Sequence, residues 1–200
     1  MLSYKKAVTR GEITKAENQN KYVYIVISQT GTILSRILKA FTHREYNHAS
    51  ISLKDDLSVM YSFGRKNPYN PFLGRFVVES PDFGTFKRFA NTKILLLKVY
   101  MGDEEYQCLS SLLNSMLENS RDYKYNYLGL YCAAVNICHK SPNRYYCSEF
   151  VKELLVRSNV TGAKELKNIV HPMSFIGLPN TDTVYRGKLR DYKYVEKAIF

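Results

Sequence analysis

Cys147 lies at the start of the segment RYYCSEFVKELLV, and this position could make it a nucleophile. The apolar residues after it follow the spacing of one helical stripe, which predicts an amphipathic helix with Cys147 at the N-cap or in the first turn. They are Phe150, Val151, Leu154 and Leu155. Unpaired backbone amides and the helix dipole favour an anion there, and the thiolate is the nucleophilic form of cysteine. The Cys147 amide could also donate to an oxyanion. The alternative is a buried structural cysteine, which is the commoner case.

A cysteine nucleophile needs a base, and His48 is the candidate. It opens the run HASIS, in which polar and apolar residues alternate, and this predicts a strand with His48 on its polar face. If Lys54–Asp56 form a three-residue loop, the returning strand places Ser62 opposite His48. The Ser62 hydroxyl could then accept a hydrogen bond from the imidazole and orient the ring. A two-residue loop would bring Phe63 opposite instead, so the pairing depends on register.

Strands and helices around these residues must bring them together. Two β-rich runs predict buried strands, KYVYIVIS at 21–28 and TKILLLKVY at 92–100. The apolar stripe of TGTILSRILKAFT predicts a helix over 30–42, and DEEYQCLSSLLNSMLENS predicts another over 103–120. The run at 125–138 is apolar nearly all round, which predicts a buried helix of about four turns.

The remaining segments predict connections and edges. Residues 1–20 are polar and predict an N-terminal arm or short helix, whereas 64–91 is rich in Gly, Pro, Asn and aromatics and predicts a long loop with a short strand at RFVVE. The run TVYRGKL predicts a return to the sheet edge. No repeat or linker divides the chain, so we expect a single α+β domain over 1–200, with a central antiparallel sheet and helices packed around it.

Composition narrows the class of protein. With 200 residues, 45% apolar and 24% charged, the chain is globular in type, and its longest apolar run is far shorter than the roughly 18 residues of a membrane span. The net charge of +11 favours an anionic surface or polymer as a partner. Nucleic acid is disfavoured because the charges are scattered and no nucleic-acid module signature is present. The N-terminus shows no secretory signal, so we expect a cytoplasmic protein.

The cysteines and histidines do not predict a metal site. None of the four cysteines forms a CxxC pair, so all are expected to be free thiols, with Cys108, Cys132 and Cys138 in the core. No HxxxH or HxxH spacing is present, and neither a Walker A nor a Rossmann glycine pattern occurs. We therefore expect no metal and no cofactor.

The order YNHASISL, MYSFGRK and YYCSEFVKELL resembles the circularly permuted branch of the papain-like NlpC superfamily. This branch includes the YiiX-type proteins and the lecithin retinol acyltransferase-like enzymes, in which the histidine strand precedes the cysteine helix. The likeness extends through SQTGTILSRILKAFT and VYRGKLRDY, and it covers roughly residues 20–192. The resemblance implies a permuted papain-like fold, with Cys147 as nucleophile and His48 as base.

The third polar residue of that family falls nearest Ser62, which is a weaker orienting group than a carboxylate. Either Ser62 serves, or another group such as Glu79 does, or the site is impaired, in that order of preference. The resemblance implies acyl transfer, most simply amide hydrolysis of a peptide or other amide. It leaves open a lipid-directed acyltransferase or phospholipase acting on an acyl lipid, and a non-enzymatic binding module on a decayed scaffold.

Overall fold

The computed structural model describes residues 21–29, 45–65 and 74–193. They form one eight-stranded sheet in the order β7-β6-β4-β3-β2-β1-β5-β8. The strands are β1 Lys21–Gln29, β2 His48–Ser52, β3 Met60–Arg65, β4 Gly74–Glu79, β5 Lys93–Met101, β6 Lys124–Tyr125, β7 Arg144–Tyr145 and β8 Thr181–Lys188. The helices are α1 Gly84–Arg88, α2 Asp103–Glu118, α3 Tyr127–Ala134 and α4 Cys147–Arg157, with 3₁₀ turns at Pro172–Gly177 and Leu189–Asp191.

The sheet is mixed, although antiparallel pairs dominate it. Every adjacent pair of strands is antiparallel except β6 and β7, which run parallel. The α+β class is therefore confirmed, and the sheet that was expected to be a central antiparallel one is mixed, because its edge pair β6 and β7 is parallel. At the other edge β8 pairs with β5, as TVYRGKL predicts.

The two β-rich runs form the adjacent central strands β1 and β5, which pair over nine residues. Both faces of these strands are buried. Val23, Ile25 and Ile27 of β1 belong to the larger core cluster, whereas Tyr24 and Val26 belong to a smaller cluster on the other face. Burial on both faces explains why these strands have continuous apolar sequences rather than alternating ones.

Two amphipathic helices cover the larger core. Helix α2 contributes Leu109, Leu113 and Met116, and α4 contributes its whole predicted stripe, which is Phe150, Val151, Leu154 and Leu155. The helix predictions at 103–120 and after Cys147 are confirmed, because a helical stripe of this length is specified by the local sequence. The helix predicted over 30–42 and the arm predicted over 1–20 lie outside the described residues.

The helix predicted as long and buried at 125–138 is short and partly exposed. It runs over Tyr127–Ala134, and only Gly129 and Ala133 are buried in it. It ends at Val135, and the next residue, Asn136, has a positive φ of 66°. An apolar composition does not by itself supply a partner for every face of a helix, so the prediction of burial is wrong here.

The hairpin that carries His48 differs from the predicted one. The strands β2 and β3 are joined by residues 53–59 rather than by the three residues Lys54–Asp56, and Leu57 within this loop has a positive φ of 55°. The structure pairs Ile51 with Tyr61, and counting from there places Ser50 opposite Ser62. The register is therefore shifted by two residues from the predicted one, which had His48 opposite Ser62. A shift of two keeps every side chain on its predicted face.

The long loop predicted at 64–91 also contains more structure than expected. Besides the end of β3, it holds β4, which confirms the short strand at RFVVE, and the five-residue helix α1. The strand β4 pairs with β3 over six residues. This pairing brings the end of RFVVE onto the sheet two strands away from β2, with β3 between them.

The cysteines divide by exposure. Cys108 and Cys138 are exposed and Cys132 is partly exposed, so the prediction that these three lie in the core is wrong. Cys147 is buried, and all four are free thiols. Within the described part of the chain, no helix has the length and apolar character needed to span a bilayer.

Candidate active site

Cys147 is the first residue of α4, as its sequence predicts. The helix is capped by extended backbone at Tyr146, and the Tyr146 amide donates to the Glu149 carboxylate at 3.3 Å. Ser148 donates to the Val170 carbonyl at 2.8 Å, which ties the first turn to the segment that follows the helix. These contacts hold the helix start in place. The amides of a first turn have no intrahelical acceptor, so they point toward the space beside the thiol.

His48 is the first residue of β2, and it lies beside this helix start. The Cys147 Sγ lies 3.9 Å from the carbonyl oxygen of Asn47, the residue before His48, and the Cys147 side chain interacts electrostatically with the imidazole. On the other side of the ring, His48 Nε2–H donates to both Glu79 oxygens, at 3.0 Å to Oε1 and 3.1 Å to Oε2. Since Nε2 is directed to the carboxylate, Nδ1 is the ring nitrogen left for the thiol.

The charges around His48 hold its ring in the protonated form. Burial acts against this, because it disfavours a charged imidazole and lowers its pKa. The charge of Glu79, the hydrogen bonds to Cys147 and Glu79, and the charge of Cys147 act in the opposite sense and raise the pKa of His48 to about 10. The ring is therefore an imidazolium at neutral pH. An imidazolium beside a sulfur favours the thiolate.

Glu79 is the orienting carboxylate, and its own position is fixed by β2. Ser50 donates to Glu79 Oε2 at 2.5 Å. The side chains of His48 and Glu79 are only 16% and 13% exposed, so this pair is shielded from water. Phe86 of α1 adds to the shielding, since its ring centroid lies 6.4 Å from that of His48.

Gly64 leaves the space that the ion pair occupies. A β-carbon at this position would lie 3.3 Å from Glu79 Oε1 and 3.5 Å from His48 Cε1, and 3.2 Å from Val77. The distances to Glu79 Oε1 and to Val77 are shorter than ordinary van der Waals contact. A larger residue here would therefore require Val77 or the Glu79 carboxylate to shift by a few tenths of an ångström.

Ser62, the preferred third residue from the sequence, is not placed at the ring. It is fully buried, and its hydroxyl donates to the Ala49 carbonyl at 2.7 Å. The second alternative, Glu79, occupies the place that was expected for Ser62. The pairing of β4 with β3 supplies this carboxylate, and no local pattern around His48 indicates it. Ser50 was missed, although strand alternation does place it on the face of His48.

We expect Ser62→Ala to weaken the fold while leaving the thiol as reactive as before. The change removes the donor to a buried carbonyl, which should cost about 1–2 kcal/mol in the free energy of unfolding. Urea unfolding measures this loss, and the rate of Cys147 alkylation in the folded variant should stay within about threefold of the original. A large fall in the alkylation rate would instead show that Ser62 contributes to the reactivity of Cys147.

A narrow pocket adjoins the Cys147 thiol. Its volume is ≈ 50 Å³, and it is bordered by Asn47, Tyr146, Val170, His171 and residues of α3. This is well below the ~150 Å³ of a cavity that binds benzene, so it holds a reacting carbonyl group and little more. The remainder of a substrate must lie outside it. His171 also forms part of the wall.

A wider cavity of ≈ 330 Å³ lies on the Glu79 side of the ion pair, between β4 and α1. It is bordered by Glu79, Phe83 and Phe86, and it shares no lining residue with the pocket at Cys147. Of these two pockets, the narrow one therefore borders the sulfur.

The arrangement suits nucleophilic chemistry rather than metal chemistry. Among the residues that the structure describes, no group of three or more His, Cys, Asp or Glu side chains could hold a metal ion. A thiol, an imidazole and a carboxylate follow one another, which is the order required of a nucleophile, its base and an orienting group. No family model, curated protein or solved structure matches this chain.

Proposed function

We propose that this protein is a cysteine hydrolase that transfers an acyl group through Cys147, His48 and Glu79, in a permuted papain-like arrangement. The observation that carries the proposal is the position of His48, whose ring donates to the Glu79 carboxylate and which directly follows Asn47, whose carbonyl oxygen lies 3.9 Å from the Cys147 Sγ. Amide hydrolysis is the simplest reaction of this class. The resemblance to the permuted NlpC branch agrees with it.

The first half of the reaction acylates the sulfur. The Cys147 thiolate attacks the substrate carbonyl carbon, and the carbonyl electron pair moves onto oxygen. The backbone amide of Cys147, at the start of α4, donates to that oxyanion. His48 then gives its Nδ1 proton to the leaving amine as the carbon–nitrogen bond breaks. A thioester on Cys147 and a neutral His48 remain.

The second half releases the acyl group. Neutral His48 takes a proton from water, and the resulting hydroxide attacks the thioester carbonyl. The carbon–sulfur bond breaks, the carboxylic acid leaves, and the thiolate–imidazolium pair is restored. Throughout, Glu79 keeps Nε2 protonated and directs Nδ1 to the reacting atoms.

A lipid-directed acyl transfer is the second candidate, and the surroundings of the pocket favour it. Helix α3, which forms part of the pocket wall, has large exposed apolar side chains that include Leu128 and Tyr131. Such a surface suits an acyl chain as well as a peptide. The third candidate, a decayed binding module, loses its main argument, because that argument was the lack of a strong orienting residue and Glu79 is a carboxylate.

Thiol alkylation tests the proposal without knowledge of the substrate. A Cys147 activated by His48 should react with iodoacetamide at about pH 6.5 on the order of tenfold or more faster than an ordinary thiol, because the thiolate is the nucleophilic form of cysteine. His48→Ala should remove most of this advantage. Mass spectrometry of the alkylated peptides compares Cys147 directly with Cys108, Cys132 and Cys138 in the same sample.

The exposed cysteines make this a demanding control, because they are more accessible than the buried Cys147. If Cys147 reacts no faster than they do, the enzyme proposal is wrong. If it does react faster, acyl-type thiol probes followed by amide, thioester and phospholipid substrates would separate the first two candidates. Cys147→Ser should abolish turnover of whichever substrate is found.

A further inference from the structure

The exposed apolar surface of the protein is concentrated around α3. Ten large apolar side chains are exposed among the described residues, and five of them lie within residues 127–137. Of the other five, Val78, Phe83 and Leu117 border the cavity between β4 and α1, and Ile176 and Val184 lie elsewhere. The five within residues 127–137 are Tyr127, Leu128, Tyr131, Val135 and Ile137, with exposed fractions from 42% to 69%, and we call them the α3 patch. Clustering of this kind marks an interaction site, whereas single exposed apolar residues do not.

Helical spacing places most of the patch on one side. Leu128, Tyr131 and Val135 follow one another at intervals of three and four, whereas Gly129 and Ala133 face the protein. Tyr131 is the most exposed of the five. Tyrosine has an apolar ring and a polar hydroxyl, which suits the boundary between water and a lipid bilayer.

Basic residues border the patch. The partly buried Glu149 also lies at the start of α3, where its carboxylate accepts from the Asn126 side chain at 3.2 Å. Between Asp122 and Glu149 the chain carries Lys124, Lys140 and Arg144 and no Asp or Glu. These basic side chains are exposed. Lys124 and Arg144 are direct neighbours across the β6–β7 pair, immediately before α3 and α4.

The loop that carries Lys140 also returns to the start of α3. Asn126, the N-cap of that helix, donates through Nδ2 to the His139 carbonyl at 3.3 Å. The apolar patch thus has cationic residues grouped at one end, where the helix dipole is also positive.

We propose that the α3 patch docks the protein on an anionic lipid bilayer. Apolar side chains would enter the interface while the basic residues contact acidic headgroups, as in other interfacial helices. A second copy of the chain fits less well, because it would bring two cationic borders together. Nor does any of the chain outside the described residues, 1–20, 30–44, 66–73 and 194–200, have the net negative charge that would complement this border.

Docking in this orientation would place the membrane beside the pocket at Cys147. Leu130, Ala133 and Ala134 of α3 form part of that pocket. The docking proposal does not depend on the chemistry of Cys147, since it is carried by the patch and its charges. Cys147→Ala is therefore expected to bind vesicles as the original protein does, which separates this test from that of the proposed reaction.

Co-sedimentation with vesicles tests the proposal. The protein should bind phosphatidylcholine vesicles that contain phosphatidylserine, and bind vesicles of phosphatidylcholine alone much more weakly, with the difference reduced in high salt. Leu128→Ser/Tyr131→Ser should reduce binding about tenfold or more. Lys140→Gln/Arg144→Gln should reduce it about fivefold per residue.

Matched variants elsewhere control for general effects. Val184→Ser replaces an exposed apolar residue on β8, and Lys164→Gln/Lys167→Gln removes two exposed charges outside the border, so neither should lose more than about twofold in binding. Circular dichroism and the thermal midpoint show that each variant is folded. Unchanged binding by the patch variant, or equal binding to neutral vesicles, would overturn the proposal. So would a dimer that Leu128→Ser/Tyr131→Ser disperses, because the second copy would then be the occupant.

Discussion

Glu79→Gln is expected to lower the pKa of His48 from about 10 by several units. The amide can still accept from Nε2, but it no longer supplies the negative charge that opposes the effect of burial on the imidazole. Without that charge, burial favours the neutral ring. The Cε1–H resonance of His48, followed by NMR against pH in the original protein and in the variant, measures both pKa values.

The same change should slow Cys147. With a neutral imidazole beside it at pH 7, the sulfur loses the cation that favours its thiolate, and alkylation near neutral pH should fall by about 10–100-fold. Ser50→Ala is the matched control, because it removes a hydrogen bond to the same carboxylate and leaves the charge in place. Ser50→Ala should lower the rate of Cys147 alkylation only a few-fold. A variant Glu79→Gln that titrates and reacts like the original protein would exclude Glu79 as the orienting group.

The second large effect is on stability against pH. In the unfolded chain a histidine has a pKa of about 6.5, and in the folded protein that of His48 is raised to about 10. The folded state therefore binds the His48 proton more tightly. Its contribution to the free energy of unfolding is fully present below about pH 6.5 and is lost as the pH rises through 10. Its size is on the order of 5 kcal/mol.

Urea unfolding at a series of pH values between about 6 and 11 measures this loss. Tyrosines and lysines also titrate in that range, so the informative quantity is the difference in free energy between the original protein and Glu79→Gln. That difference should be greatest at the low end of the range, near about pH 6, and should shrink as the pH rises through 10. A difference that is constant over the whole range would mean that Glu79 does not hold His48 in its charged form.

The prediction of the nucleophile from sequence relied on local periodicity. The stripe from Phe150 to Leu155 specifies α4 and its start, so Cys147 could be placed at a helix N-terminus before any tertiary contact was known. The buried strands β1 and β5 were equally predictable, because a continuous β-rich run needs no partner to be recognised.

The orienting residue could not be chosen in the same way. Glu79 lies 31 residues from His48, and it reaches the ring only because β4 pairs with β3 and Gly64 leaves room beneath the two side chains. The predicted pairing of His48 with Ser62 failed because the β2–β3 loop is longer than three residues, which moves the register by two. The predicted face of the hairpin was correct, but the predicted residue opposite His48 was not.

The sequence by itself thus determined where the central strands β1 and β5 and the helices α2 and α4 lie, which side of each of these helices is apolar, and that a cysteine and a histidine stand at the starts of a helix and a strand. Only the tertiary structure decided which carboxylate faces His48 and that α3 keeps an apolar side exposed. The reason is physical. Periodicity within a segment predicts the direction of each side chain, because the backbone geometry repeats. Strand register, and whether an apolar face is covered by another element, depend instead on loop lengths and on segments that are distant in the chain.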